Sequence, residues 1–288
     1  WWAGAWMNAG GFACKRLAEL STQWLIYLVT FVTTILVWLT VRDQEAVLDL
    51  FADAGRVTVA YISYRSVFTL ERHARDRIIA AMFLISIQVL FWALFEQAGS
   101  SLNVYTDQQV DRTIFGQEVP ASVFQSLNAG YIIYLGPLLA ALWVFLAKRG
   151  LEPTAPQKFG LGVIQLGLGF LVLVWGANAA GQGNLTPVIF IFLIYLLHTT
   201  GELCLSPVGL SAMTRLSVPS MVGLIMGTWF LASGAGYFVA AMIAQATAAE
   251  GADGENVVIT VYSNVGWFAV EVGVGRNSVP TLIYYLMH

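Results

Sequence analysis

Two carboxylates sit where an apolar chain would normally carry none. Glu96 lies near the end of the run 78–103, IIAAMFLISIQVLFWALFEQAGSSLN, between Phe91, Trp92 and Phe95 on one side and Ala98, Gly99 and Ser100 on the other. Glu202 occupies a second such run, Pro187 to Met213. Each run is long enough to cross a bilayer, which takes about 20 apolar residues of helix. An Asp at that depth costs roughly 2.5–3.5 kcal/mol on insertion scales and a Glu is comparable, so an acid kept there points to function. The chemistry is proton exchange. Low-dielectric surroundings disfavour a charged carboxyl and a nearby cation restores it, so a carboxyl whose partner comes and goes loads and releases a proton. A permanently protonated or salt-bridged structural acid is the alternative, and the depth of both residues favours function.

Other polar residues in these runs leave more than one reading. His198 is four residues before Glu202 and shares its helix face, which allows a proton relay; a histidine hydrogen-bonded to a neighbouring helix is the plainer account and is preferred. Asn128, in FQSLN, can accept from an ammonium group or join two helices, and its residue type does not decide. Trp92 and Trp229 can wall a pocket, but packing is the default for each. Other chemistries lack their signatures. The sequence has no Walker motif, no HExxH, no metal-ligand cluster, no nucleophile elbow around Ser211, no row of voltage-sensing arginines and no channel filter. An enzyme is not encoded, and no metal or cofactor is implied.

The elements that must position these residues are membrane helices. Of the 288 residues, 58% are hydrophobic and only 11% charged, and mean hydropathy is +0.70. Soluble domains carry about 25% charged residues, so this surface must face lipid. A net charge of −3 offers nothing to nucleic acid. The two cysteines, Cys14 and Cys204, make neither a disulfide framework nor a metal site. The chain opens at Trp1 without a Met or a cleavable leader and reads as a fragment. Residues 1–23 read as the tail of a preceding helix with an interfacial belt of Trp1, Trp2 and Trp6, followed by a loop at Lys15 and Arg16.

Eight spans are expected: 24–41, 46–64, 78–103, 123–147, 159–177, 187–213, 221–246 and 257–288. The second carries Asp49, Asp53 and Arg56 on one face, read as a solvated or headgroup-facing stripe in preference to a buried ion pair. Residues 65–77 read as a basic loop, and 100–120 as a polar loop. The glycines of the fifth span suit close helix packing. The sixth is expected to kink or break near Pro207 and Gly209, and the eighth is interrupted by Glu271, Arg276, Asn277 and Pro280. Alternating the sides puts Lys15, Arg16, Arg65, Arg72, Arg75, Arg77, Lys148, Arg149, Lys158 and Arg215 on one side, and Arg42 and Arg112 on the other. Ten against two places 65–77 in the cytoplasm by the positive-inside rule and supports the span count.

At FWALFEQAGSSLN (91–103), FQSLN (124–128), GELCLSPVGLSAMTRL (201–216) and MGTWFLASGAGYFVA (226–240) the sequence resembles the proton-dependent oligopeptide transporter family of the major facilitator superfamily, in order and spacing from about Trp24 to Gly266. The resemblance implies an all-α, polytopic membrane helical bundle, the second half of a twelve-helix transporter. Residues 24–64 would be the helical pair that bacterial members insert between the halves, and 78–288 helices seven to twelve. It implies that Glu96 binds the proton and gates by pairing with a basic residue of the other half. Glu202 would hold the peptide amino group with help from Asn128, and Trp92, Ser206 and Trp229 would line the pocket. The implied function is proton-coupled symport of di- and tripeptides across a bacterial inner membrane, driven by the proton gradient and completed by an N-terminal half carrying the cations for the peptide carboxylate. The alternatives are a relative that carries another nitrogenous substrate and a non-transporting helical scaffold. Two places depart from the family pattern: the polar last span, and 1–23, which gives no family match.

Overall fold

The computed structural model describes residues 22–39, 42, 44–181, 183–248 and 254–277. The readings of 1–21, with their tryptophans and basic pair, and of 278–288, with Pro280, lie outside the described residues. Contacts divide the chain into two units, 1–57 and 58–288, with the division falling inside one helix.

In the first unit, α1 (Thr22–Leu39) is apolar and exposed along its length, with Trp24, Leu28, Phe31, Leu36 and Trp38 among its open side chains. Arg42 closes over the Trp38 ring at 4.9 Å. α2 (Gln44–Phe68) begins here. Its Asp53 and Arg56 pair at 2.6 Å with both side chains well exposed, which is the solvated stripe rather than a buried pair.

The second unit holds the end of α2 and the helices α3 (Arg72–Phe95), α4 (Ser101–Gln109), α5 (Ser126–Lys148), α6 (Ala155–Ala180), α7 (Ile189–Leu216), α8 (Val222–Ala248) and α9 (Gly254–Asn277). One apolar core joins them, with Leu84 and Phe91 of α3, Phe159 and Phe170 of α6, Ile191 and Leu205 of α7, Ile225 of α8 and Tyr262 of α9. α6 is the central helix and packs most extensively against α7 and α9, while α3 packs on α8. Glycines permit the close crossings on α6. A Cβ at Gly162 would stand 2.8 Å from the Gly201 carbonyl oxygen, so the two backbones are in direct contact. α5 has no fully buried residue.

Several expected boundaries move. The stretch 65–77 is mostly helical: α2 continues through Arg65 to Phe68, and α3 starts at Arg72. The charges did not end these helices: Arg65 lies in the last turn of α2, Arg72 and Arg75 lie in the first turn of α3, and the Arg77 guanidinium bonds to the Arg215 carbonyl. The run 78–103 is not one helix. α3 ends at Phe95, a single 3-10 turn spans Glu96–Gly99, and α4 follows. The polar loop therefore contains α4, then a two-residue hairpin of β2 (Thr113–Ile114) and β3 (Gln117–Glu118), turned at Phe115 and Gly116 with φ of 52° and 78°. β1 (Val110–Asp111) pairs in parallel with β4 (Thr186–Pro187). α7 runs unbroken through Pro207 and Gly209, since a packed bundle tolerates one missing N–H. α9 is continuous through Glu271, which is exposed. Among the described residues seven helical segments, not eight, are long and apolar enough to cross a membrane; α2, with Asp49, Asp53, Arg56 and Arg65, is not one of them.

Candidate functional site

The helix break places Glu96. As the C-cap of α3 and the first residue of the 3-10 turn, it stands half-buried beside the ring cluster of Phe91, Trp92 and Phe95. Glu202 comes from the middle of α7, also half-buried. The two carboxyls are near enough for their charges to interact. The ring of Tyr237 on α8 meets Trp92 edge-on at 6.0 Å.

Asn128, in the first turn of α5, supplies the direct partner. Its Nδ2 donates to Glu202 Oε2 at 2.9 Å and lies 3.2 Å from Thr199 Oγ1. The Thr199 hydroxyl is committed to the Tyr195 carbonyl oxygen at 2.7 Å, which leaves its oxygen free to accept. α5 carries a second link to α7, from the Tyr131 hydroxyl to the Phe192 carbonyl at 3.3 Å. Among the described residues no Lys or Arg is paired with Glu96 or Glu202.

The remaining expected residues divide. Trp92 is half-buried on the Glu96 side, with its Cβ against Gly236 and its indole N–H buried without a partner. Ser206 is half-buried one turn beyond Glu202 on the same helix face. Trp229 is buried in the core, where its ring covers Gly209 and meets Phe159 at 6.2 Å. His198 is 1% exposed, enclosed by Phe170 at 4.9 Å and Phe95 at 6.2 Å, and pressed against Gly169. No hydrogen bond joins it to Glu202, whose carboxyl bonds to Asn128 instead.

Sequence reasoning missed Thr199, Tyr237 and the buried glutamines Gln88 and Gln97. Thr199 could have been found at three residues before Glu202, on the same face. The glutamines were visible as uncharged polar residues inside an apolar run. Tyr237 carried no signal beyond its type.

Residues 21–261 match the POT family profile, PTR2. The chain belongs to the POT family. It is 36% identical over 201 residues to the peptide transporter YePEPT of Yersinia enterocolitica, covering 69% of this chain and 39% of that protein. It is 32% identical over 227 residues to dipeptide and tripeptide permease A of Edwardsiella piscicida, covering 78% of this chain and 45% of the permease. Its fold superposes on a crystal structure of a mutant peptide transporter POT in complex with alafosfalin, with a TM-score of 0.75 and 30% identity over 93% of this chain and 53% of that one. The POT chain thus spans roughly two fifths to one half of the length of these relatives. Its helices are those of a major facilitator transporter, and it is a multi-pass integral membrane protein of a transporter family.

Proposed function

We propose that this chain is the second half of a proton-coupled symporter of di- and tripeptides, with 78 onward forming helices seven to twelve and 24–64 the inserted helical pair. The observation that carries the reading is the Asn128–Glu202 hydrogen bond of 2.9 Å, set beside a second carboxyl, Glu96, within reach of its charge. A small peptide is a zwitterion. Its ammonium seeks strong acceptors, which Glu202 and the amide oxygen of Asn128 provide. Its carboxylate seeks Arg or Lys, and neither pairs with this site from the described residues. A preceding six-helix half supplies those cations, and the site lies between the halves, where rocking exposes it to each side in turn. Glu96 carries the proton: a basic residue of the other half holds it charged in one state, and withdrawal of that cation lets it take a proton in the next. Trp92 and Ser206 flank the substrate.

The test is uptake of labelled dialanine by the full-length protein in proteoliposomes, with and without an inward proton gradient. The expected result is gradient-stimulated uptake blocked by excess unlabelled tripeptide. Glu202→Gln abolishes it, and Glu96→Gln removes gradient stimulation but leaves exchange of peptide for peptide. Uptake retained in both variants removes the acids from the mechanism. No peptide uptake by a folded protein moves the reading to another nitrogenous substrate, and no transport of any such compound to a scaffold.

A further inference from the structure

From Gln97, the residue after Glu96, a chain of hydrogen bonds runs through Ser101 to α9. Gln97 and Tyr262 are completely buried, and Ser101 is 7% exposed. Tyr262 of α9 lies 2.8 Å from Ser101 Oγ, and Ser101 Oγ lies 2.6 Å from Gln97 Oε1. Gln97 Nε2 reaches two backbone carbonyls at 3.0 Å, Ala93 on α3 and Ala240 on α8.

Counting hydrogens gives each bond one direction. Carbonyls only accept, so the Gln97 amide presents both N–H bonds to Ala93 and Ala240 and turns Oε1 to Ser101. An amide oxygen also only accepts, so Ser101 gives it its single hydrogen and must receive one from Tyr262. Reversing any member would leave two buried acceptors or two buried donors face to face, and in a dry interior an unpaired polar group is costly. The chain therefore has one arrangement. It ties four pieces together: the end of α3, the start of α4, α8 and α9. A second tie from α3 to α8 lies below it, where Gln88 donates to Ser233 and to the Trp229 carbonyl.

We propose that Gln97 is a positioning residue for Glu96. Through Ser101 and Tyr262 it locks the turn 96–99 onto α8 and α9 and so sets where the neighbouring carboxyl stands relative to Glu202. Gln97 does not touch the carboxyl; it acts through the backbone it shares with it, and the Ser100 hydroxyl, bonded to the Glu96 carbonyl at 3.1 Å, steadies the same turn. The role deepens the proposed function and rests on Glu96 being the proton carrier.

The experiment compares Gln97→Leu, Ser101→Ala and Tyr262→Phe in the full-length protein. Three quantities are read: gradient-driven uptake, peptide exchange without a gradient, and hydrogen–deuterium exchange of the amides of 96–101. Leucine fills about the same space but bonds to nothing, so the Ser101 hydroxyl hydrogen loses its acceptor and the tie to the Ala240 carbonyl is removed. Amide exchange over 96–101 should rise by about tenfold or more in Gln97→Leu, from loss of a buried hydrogen-bond network, and by less in Tyr262→Phe. Gradient-driven uptake should fall by about the same factor, while peptide exchange stays within about twofold. A purely structural role would lower both transport modes together and speed amide exchange throughout the bundle; that result, or an unchanged turn, overturns the proposal. Should the unmodified protein move no peptide, the proposed function fails on its own. Faster exchange confined to 96–101 then still supports the lock, and its absence overturns it.

Discussion

Replacing Gly201 with alanine should force α7 away from α6 and carry Glu202 with it. A Cβ at Gly201 would stand 2.8 Å from the Gly162 carbonyl oxygen, and one at Gly162 would stand 2.8 Å from the Gly201 carbonyl oxygen. Carbon–oxygen contacts between helices settle at about 3.3–3.6 Å, so the backbones must part by about half an ångström. Neither obstacle is the end of a side chain, so no rotamer change relieves it. Overpacking of this kind costs about 1–3 kcal/mol. Alanine in place of a helix-interior glycine returns about 0.8–1.0 kcal/mol of propensity, so the net loss reaches about 2 kcal/mol. Gly55→Ala isolates the propensity term, because nothing lies within 4 Å of the added carbon, and it should raise stability by up to about 1 kcal/mol. The assay is thermal unfolding of the purified full-length protein in detergent, followed by tryptophan fluorescence, with dialanine uptake measured alongside. Gly201→Ala and Gly162→Ala should both melt below the unmodified protein. Gly201→Ala should lose more uptake, because Gly201 is covalently next to Glu202. If both variants melt at or above the unmodified protein while Gly55→Ala behaves as expected, the backbone contact is not limiting and the reasoning fails.

Asn128→Leu removes the 2.9 Å bond to Glu202, and a hydrogen bond to a charged group contributes about 1.5–3 kcal/mol, so KM for dialanine should rise at least about tenfold. Thr199→Val removes the 3.2 Å contact to Asn128 and the hydroxyl's bond to the Tyr195 carbonyl but leaves the Asn128–Glu202 bond, and should do less; the reverse order would reassign the partner of Glu202. Lys158 is 8% exposed and held by Glu152 at 2.6 Å and the Trp143 ring at 4.6 Å, whereas Glu152 is 41% exposed. Glu152→Gln strands an enclosed ammonium and Lys158→Met strands a carboxylate that water can reach, so Glu152→Gln should melt lower; equal melting would mean that the ring alone sustains the charge.

The apolar runs were legible because a bilayer demands length and hydropathy from every helix that crosses it. Glu96, Glu202 and Asn128 stood out for the same reason, as polar residues in runs that should not hold them. What the runs hid was where a helix stops. The break at Glu96 carries no proline and no charge cluster; it is stabilised by tertiary hydrogen bonds from Gln97, Ser101 and Tyr262, and Tyr262 is 161 residues from Ser101 in sequence. At Pro207 the expected break does not occur, since the packing of α7 against its neighbours carries the helix through a local breaker. Trp229 and His198 show why residue type is weak evidence by itself. Both carry polar nitrogens on faces that a pocket could use, and both are enclosed, one against Gly209 and the other against Gly169.

The attachment of α5 gives these details a common consequence. α5 buries no residue fully, and among the described residues its polar links to α7 are the Asn128 bonds to Glu202 and Thr199 and the Tyr131 bond to Phe192. α3 and the turn after it are held quite differently: buried Gln88 and Gln97 bond to α8, and Ser101 at the start of α4 bonds to buried Tyr262 of α9. The site thus joins a stiffly held carboxyl, Glu96, to a loosely held amide, Asn128. On the proposed function, a peptide ammonium that engages Glu202 also takes the Asn128 amide oxygen as an acceptor. Substrate binding then acts at the junction of α5 and α7, while the proton-carrying turn keeps its place.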